Sequence, residues 1–222
     1  MADIKESTPT NGSTTSPHSQ GRPQGDPLPS SSDVEDLKNL SVTDKDNETH
    51  IISDLITSAE RVVLVFIRHF FCGNCQQYVT ALSSSLPPKH LSSLPTPSKL
   101  IIIGCGEPKN IPQYYTETGC AFDIYADRDR KIYDKLGFVC NLTQQDQKPQ
   151  YMQKSTVANF MGSVKQSLAA LPGGSTFSGG KISQNGGECV FENGKMVFFH
   201  RMRMTDDHLE IDVLKQLIGD HG

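Results

Sequence analysis

Cys72 and Cys75 are separated only by Gly73 and Asn74 and follow directly on Phe70-Phe71. Two sulfurs at this spacing can pass between dithiol and disulfide, and that chemistry starts from the thiolate, the reactive form of cysteine. The run Val62-Val63-Leu64-Val65-Phe66-Ile67 just upstream reads as a strand buried on both faces. Downstream, Tyr78, Val79, Leu82 and Leu86 recur at helical spacing. Strand, short turn and helix place both sulfurs at the helix's first turn. Unpaired backbone N–H groups and the positive end of the helix dipole favour an anion there. A Cys-x-x-Cys pair in a βαβ setting is a redox candidate. Gly73-Asn74 is expected to be an exposed turn, which argues against a buried and inert pair of small side chains.

Other candidates cluster around the pair in sequence. Arg68 and His69 immediately precede it: a cation near the sulfur lowers its pKa, and an imidazole exchanges protons near neutrality. The plainer reading of Arg68 is a stem covering the sheet end with its head in solvent. Cys105, between Gly104 and Gly106, sits at the carboxyl end of a second apolar strand, where open α/β sheets bind ligands. A plain buried thiol accounts for it as well. Gly186-Gly187 would allow close backbone approach to a substrate, or simply a bulge. Cys120, Cys140 and Cys189 receive no role. A structural zinc site takes four ligands, and the chain has no second Cys-x-x-Cys, while His200 and His208 are too far apart for the usual close pair. No metal or other cofactor is expected.

The elements that must position these groups can be read along the chain. Residues 1–33 are rich in Ser, Thr, Pro, Gly and Gln and are expected to form a disordered tail, because they carry too little apolar surface to offset ordering entropy. Ser16-Pro17 is a candidate phosphorylation step in that tail. Residues 34–222 form the expected folded domain. A helix is predicted over 47–59, with Ile51, Ile52, Leu55 and Ile56 on one face, followed by the strand 62–67 and the cysteine helix. Leu100-Ile101-Ile102-Ile103 is a second strand, 108–118 a helix and 122–125 a short strand. Asp127 caps a helix stopped by Gly137, and a long helix is predicted around 152–171. Asn193-Gly194 between apolar runs predicts a tight hairpin, and 206–218 a closing helix with Leu209, Val213, Leu214 and Leu217 facing inward. The sum is an α/β layered fold with a central mixed sheet flanked by helices.

Bulk properties narrow the classes. The chain has 222 residues and a net charge of −4, with no basic stripe, so a nucleic-acid partner is not expected. No apolar run is long enough to span a bilayer, and no apolar signal core follows the amino terminus. Six unevenly spaced cysteines point to thiols kept reduced inside a cell, with a cytoplasmic location as the default.

The order of elements resembles the thioredoxin fold and, more closely, its peroxiredoxin-like branch of AhpC/TSA antioxidant and peroxiredoxin-like 2 proteins. The residues that carry the resemblance are Phe66-Ile67-Arg68-His69-Phe70-Phe71-Cys72-Gly73-Asn74-Cys75, Ile103-Gly104-Cys105-Gly106, residues 125–133, Gln184-Asn185-Gly186-Gly187-Glu188 and Phe199-His200-Arg201. It covers roughly residues 45–219. Thioredoxin-like chemistry implies Cys72 as the exposed attacker; alignment with peroxiredoxins implies Cys75 instead. The chain lacks the cis-proline of thioredoxins, and the Pro-x-x-x-Thr-x-x-Cys signature and the arginine of peroxiredoxins, for which His200-Arg201 is a candidate substitute. The resemblance implies a thiol oxidoreductase cycling through a Cys72–Cys75 disulfide. Its oxidant would be a peroxide, and its reductant an external dithiol of the thioredoxin or glutathione system. Two alternatives stand beside it: an enzyme that reduces or rearranges a small organic molecule such as an endoperoxide, and a redox-responsive binding module.

Overall fold

The computed structural model describes residues 23–152 and 178–220. Its frame is a seven-stranded mixed sheet in the order β2-β1-β5-β4-β3-β6-β7. The centre is β3 (Arg61–Phe66), parallel to β4 (Ser98–Gly104), which is parallel in turn to β5 (Asp123–Ala126). On the other side of β3, the hairpin β6 (Gly187–Glu192) and β7 (Lys195–Arg201) runs antiparallel. A short hairpin, β1 (Ser41–Thr43) and β2 (Thr49–Ile51), closes the opposite edge through one pairing of Thr43 with Ala126.

The unbroken apolar run in β3 follows from its place. Val63 and Val65 enter the core on one face, beneath α3 (Gly73–Ser85), α4 (Pro88–Ser93), α5 (Ile111–Thr118) and α7 (Ile211–Ile218). Val62, Leu64 and Phe66 enter the other, beneath α1 (Ser31–Lys38), α2 (Ile52–Ile56) and α6 (Lys131–Lys135). Alternate side chains of a strand point to opposite faces, so a strand covered on both sides keeps no polar position. Each of these side chains buries enough surface to contribute about 1.5–3 kcal/mol.

Local signals behave as their chemistry requires. Asn193 and Gly194 both take positive φ, 49° and 74°, as a tight β6–β7 turn demands. The carboxylate of Asp127 accepts the backbone N–H groups of Lys131, Ile132 and Tyr133. Gly137, at φ 66°, follows the end of α6.

The structure departs from the sequence reading in three places. Residues 47–51 are not helical: Thr49–Ile51 is a strand paired antiparallel with Ser41–Thr43 of β1, and the helix begins only at Ile52. The apolar spacing of Ile51, Ile52, Leu55 and Ile56 imitates a helix face, but Ile51 is exposed. The closing helix starts at Ile211 instead of Asp206. The described end of the expected tail, residues 23–33, lies on the fold: Asp26 N–H donates to Phe199 O at 2.8 Å, Gly25 packs on Phe198 and Phe199, and α1 starts at Ser31. Ser16-Pro17 and the helix predicted around 152–171 lie outside the described residues, apart from Met152 itself.

Candidate active site

Cys72 is the N-cap of α3, and its sulfur accepts the N–H of Cys75 at 3.5 Å. The loop between β3 and α3 turns back so that the backbone N–H of Arg68 meets the sulfur of Cys75 at 3.3 Å. Its guanidinium reaches the sulfur of Cys72, with Nη1 at 3.4 Å. One residue thus touches both thiols.

Arg68 is buried, with only 6% of its surface exposed, and is not the solvent-facing stem of the plainer reading. Nε donates to Gln184 O at 3.1 Å and to Asn185 Oδ1 at 3.0 Å, and Nη2 donates to Ile182 O at 2.7 Å. All three acceptors are uncharged. Among the described residues no carboxylate forms an ion pair with it. A buried guanidinium held by neutral oxygens calls for an anion at its remaining corner, and Cys72 occupies that corner.

The electrostatics separate the two sulfurs. Cys72 is held well below the usual thiol range, chiefly by the hydrogen bond from Cys75, with the charges of His69 and Arg68 adding to it against the effect of burial. Cys75 is pushed well above that range by burial and by its bond to Cys72. His69 is buried as well; burial holds its imidazole below the usual range, and the neighbouring Cys72 charge opposes that.

The pair is not at a solvent opening. Cys72 is 4% exposed and Cys75 is fully buried, which corrects the expectation of an exposed turn. Segment 178–186 folds over the loop: Phe70 N–H bonds Gly179 O, and the carbonyls of Ile182 and Gln184 hold Arg68. Gly73 and Asn74 themselves are only half-buried, and Asn74 Nδ2 donates to Thr205 O at 3.4 Å.

The remaining sequence candidates fall elsewhere. Cys105 Sγ donates to Arg68 O at 2.8 Å, and burial pushes its pKa up to about 12. It lines a separate cleft of about 790 Å³ with Arg128, Arg130, Leu142, Lys181 and Ile182; neither Cys72 nor Arg68 lines it. Gly186 and Gly187 are buried against protein backbone, where an added methyl would strike Phe66 O and His200 O respectively. Sheet packing, not approach to a substrate, therefore requires those glycines. Arg201 stacks on Phe199 and donates to Leu136 O, away from the sulfurs, so it supplies no substitute cation.

Sequence reasoning missed a second set of groups. His208 Nε2 lies 3.4 Å from the sulfur of Cys75, and its Nδ1 bonds Glu188 Oε1 at 2.6 Å. The other oxygen of Glu188 bonds His200 Nδ1 at 2.8 Å. Glu188 is fully buried. Burial alone would raise its pKa, but the charge of His208 and the bonds to both histidines bring it down to about 2. Burial would lower His200, yet the bond to Glu188 wins and raises it. A single acid inside the apolar strand Glu188-Cys189-Val190-Phe191 was the available signal, since such a group needs buried partners. Among the described residues, Cys72 and Cys75 belong to no group of His, Cys, Asp or Glu close enough to share a metal; Asp44, Glu48 and His50 in the β1–β2 hairpin do.

Comparison with known proteins agrees with this architecture. Residues 81–204 match the family described as AhpC/TSA antioxidant enzyme, a match that starts beyond Cys75. A protein named Peroxiredoxin-like 2C from Takifugu rubripes is 31% identical over 84% of this chain and 81% of its own length. The human protein of the same name is 32% identical over 72% and 69%. Two solved structures share the fold at low identity. Reduced Prx3 from Vibrio vulnificus in complex with hydrogen peroxide has a TM-score of 0.52 at 10% identity, covering 82% of this chain and 95% of its own. The peroxidoxin BcpB from Mycobacterium tuberculosis gives 0.51 at 9%, covering 82% and 90%. By these relatives, with its central mixed sheet, flanking helices and closing hairpin and helix, the chain belongs to the thioredoxin-fold, peroxiredoxin-like AhpC/TSA family.

Proposed function

We propose that this protein is a thiol oxidoreductase that reduces a small peroxide through Cys72 and Cys75. The carrying observation is the buried Arg68, 3.4 Å from the Cys72 sulfur with otherwise neutral partners, which makes a Cys72 thiolate its counterion. The thiolate attacks one peroxide oxygen; the O–O bond breaks, the other oxygen leaves as alcohol or water after taking a proton, and Cys72 becomes a sulfenic acid. Cys75 then displaces the hydroxyl, releasing water and forming the disulfide. An external dithiol, of the thioredoxin or glutathione type, reduces it by two electrons and restores both thiols. With only 4% of Cys72 exposed, a substrate as small as hydrogen peroxide suits the site, and six cysteines suit a reducing cytoplasm. One equivalent of hydrogen peroxide should lower the intact mass by two hydrogens, with peptide mapping joining Cys72 to Cys75. A protein that keeps both thiols free under that treatment lacks this activity.

The cleft beside Cys105 favours a second substrate class. Arg128, Arg130 and Lys181 line it together with the exposed Leu142 and Ile182, a combination that suits an organic anion with an apolar body. Ile182 also holds Arg68 through its carbonyl. Turnover of an organic endoperoxide or disulfide by a protein inert to hydrogen peroxide is the outcome that reading requires.

A further inference from the structure

The buried proton on Cys75 has two acceptors in reach, and the second leads away from the sulfurs. An ionised carboxylate only accepts hydrogen bonds. Glu188 therefore receives Nδ1–H from His208 and Nδ1–H from His200, at 2.6 and 2.8 Å. With its Nδ1 protonated, a neutral His208 presents the lone pair of Nε2 to the Cys75 sulfur, 3.4 Å away. The ring cannot turn freely, because it stacks on Tyr78 with centroids 4.3 Å apart and planes 10° apart. His208 and Glu188 are sealed from solvent, while the side chain of His200 is 19% exposed. A continuous row of groups thus joins a buried thiol to the surface at the sheet's edge strand.

Resting on the dithiol cycle proposed above, we propose that His208 is the general base and acid for Cys75, and that Glu188 and His200 are positioning residues that set its tautomer. When Cys72 is a sulfenic acid, Nε2 takes the proton of Cys75. The Cys75 sulfur attacks the Cys72 sulfur, the S–O bond breaks, and the departing hydroxide takes a proton from solvent and leaves as water, while His208 keeps the proton of Cys75. The electron count is that of the condensation itself: one sulfenic acid and one thiol give one disulfide and water. In the return direction an external thiolate attacks the Cys72 sulfur, the S–S bond breaks toward Cys75, and His208 in its imidazolium form returns the proton as Cys75 leaves. The Glu188 carboxylate stabilises that imidazolium in both directions. The titratable groups around His208 are Cys75 and Tyr78 on α3, Glu188 on β6, His200 beyond it on β7, Tyr151 packed on Tyr78, and Asp206, Asp207 and Glu210 on its own loop.

The test separates the two chemical steps in a single turnover. Reduced protein is mixed with one equivalent of hydrogen peroxide; dimedone trapping measures sulfenic acid at Cys72, and intact mass measures disulfide. In His208→Asn, sulfenic acid forms at close to the wild-type rate, while condensation slows by about 100-fold or more, the usual worth of a positioned base. Glu188→Gln keeps the shape but removes the charge, so the midpoint of the condensation pH profile moves to lower pH, a shift that a packing role does not produce. Should either variant fail to fold, wild-type condensation decides: it must rise with pH through one ionisation that follows the His208 imidazole signal in nitrogen-15 spectra. Condensation in His208→Asn at the wild-type rate, or a wild-type rate independent of pH, overturns the role of His208. A wild-type protein that forms sulfenic acid but no Cys72–Cys75 disulfide, or neither, removes the parent cycle as well.

Discussion

The imidazole of His208 lies flat on the ring of Tyr78, and that ring is itself packed on Tyr151 with centroids 4.8 Å apart. Tyr78 and Cys75 are one helical turn apart on α3, so a single helix face carries the sulfur and the platform for the ring that meets it. Tyr78→Leu keeps the apolar burial but removes the platform. Unfolding in urea should report a loss of about 2 kcal/mol, within the range for shrinking a buried aromatic. The His208 imidazole signals should broaden as the ring gains freedom, while Cys72 still titrates as a low-pKa thiol.

Arg68→Met tests the share of the guanidinium in stabilising the Cys72 thiolate. The thiolate absorbance of Cys72 near 240 nm should titrate closer to the ordinary thiol range, and its reaction with hydrogen peroxide at pH 7 should slow by about tenfold or more. The oxygens of Ile182, Gln184 and Asn185 lose their donor, which costs about 1–3 kcal/mol in stability for the group left unpaired. Arg68→Lys keeps the charge but not the planar fork, and should fall between the two. A thiolate titration unchanged in Arg68→Met contradicts the ion-pair account.

On the proposed function, burial should make the pair selective by size. In the native protein iodoacetamide should label Cys72 slowly and Cys75 hardly at all, whereas hydrogen peroxide should oxidise Cys72 within the same period. After denaturation both label at the rate of ordinary thiols. Fast native alkylation of both sulfurs would show that segment 178–186 does not cover them as the geometry has it.

Glu188 links the site to acid stability. Its folded value of about 2 lies below the unfolded 4.5. The native state therefore binds fewer protons, and the stability this group contributes is present above pH 4.5 and lost as pH falls toward 2. Between pH 4.5 and pH 3 the wild type should lose roughly 1–2 kcal/mol that Glu188→Gln does not lose. Chemical unfolding of both proteins across that window measures the difference directly.

What could be read in the sequence was whatever local physics decides. The two-sided strand at Val62–Ile67, the first-turn placement of Cys72 and Cys75, and the Asn193-Gly194 turn each need only their neighbours. The Ile51–Ile56 stretch was misread because spacing alone cannot show that Thr49–Ile51 finds a strand partner in Ser41–Thr43. The partnership of Glu188 with His200 was hidden by one irregularity. Counting back from the hairpin turn sets Glu188 opposite Phe199, but the register shift between Val190 and Phe191 sets it opposite His200. His208 follows β7 in the loop before α7, and only the folded chain brings it to Cys75.

The pairing of β3 with β6 has a consequence for the order of events in the cell. Phe66 sits beside Gly187, so the sulfurs and the segment that covers them come from opposite ends of the folded chain. A nascent polypeptide exposes its two thiols well before Ile182, Gln184, Glu188 and His208 have been synthesised. Throughout that interval Arg68 is present but lacks the oxygens of Ile182, Gln184 and Asn185 that hold it, and neither sulfur has its roof or its histidine neighbour. On the proposed function, completion of the carboxyl-terminal hairpin switches the chemistry on, and a product cut short before it should carry the motif without the reactivity.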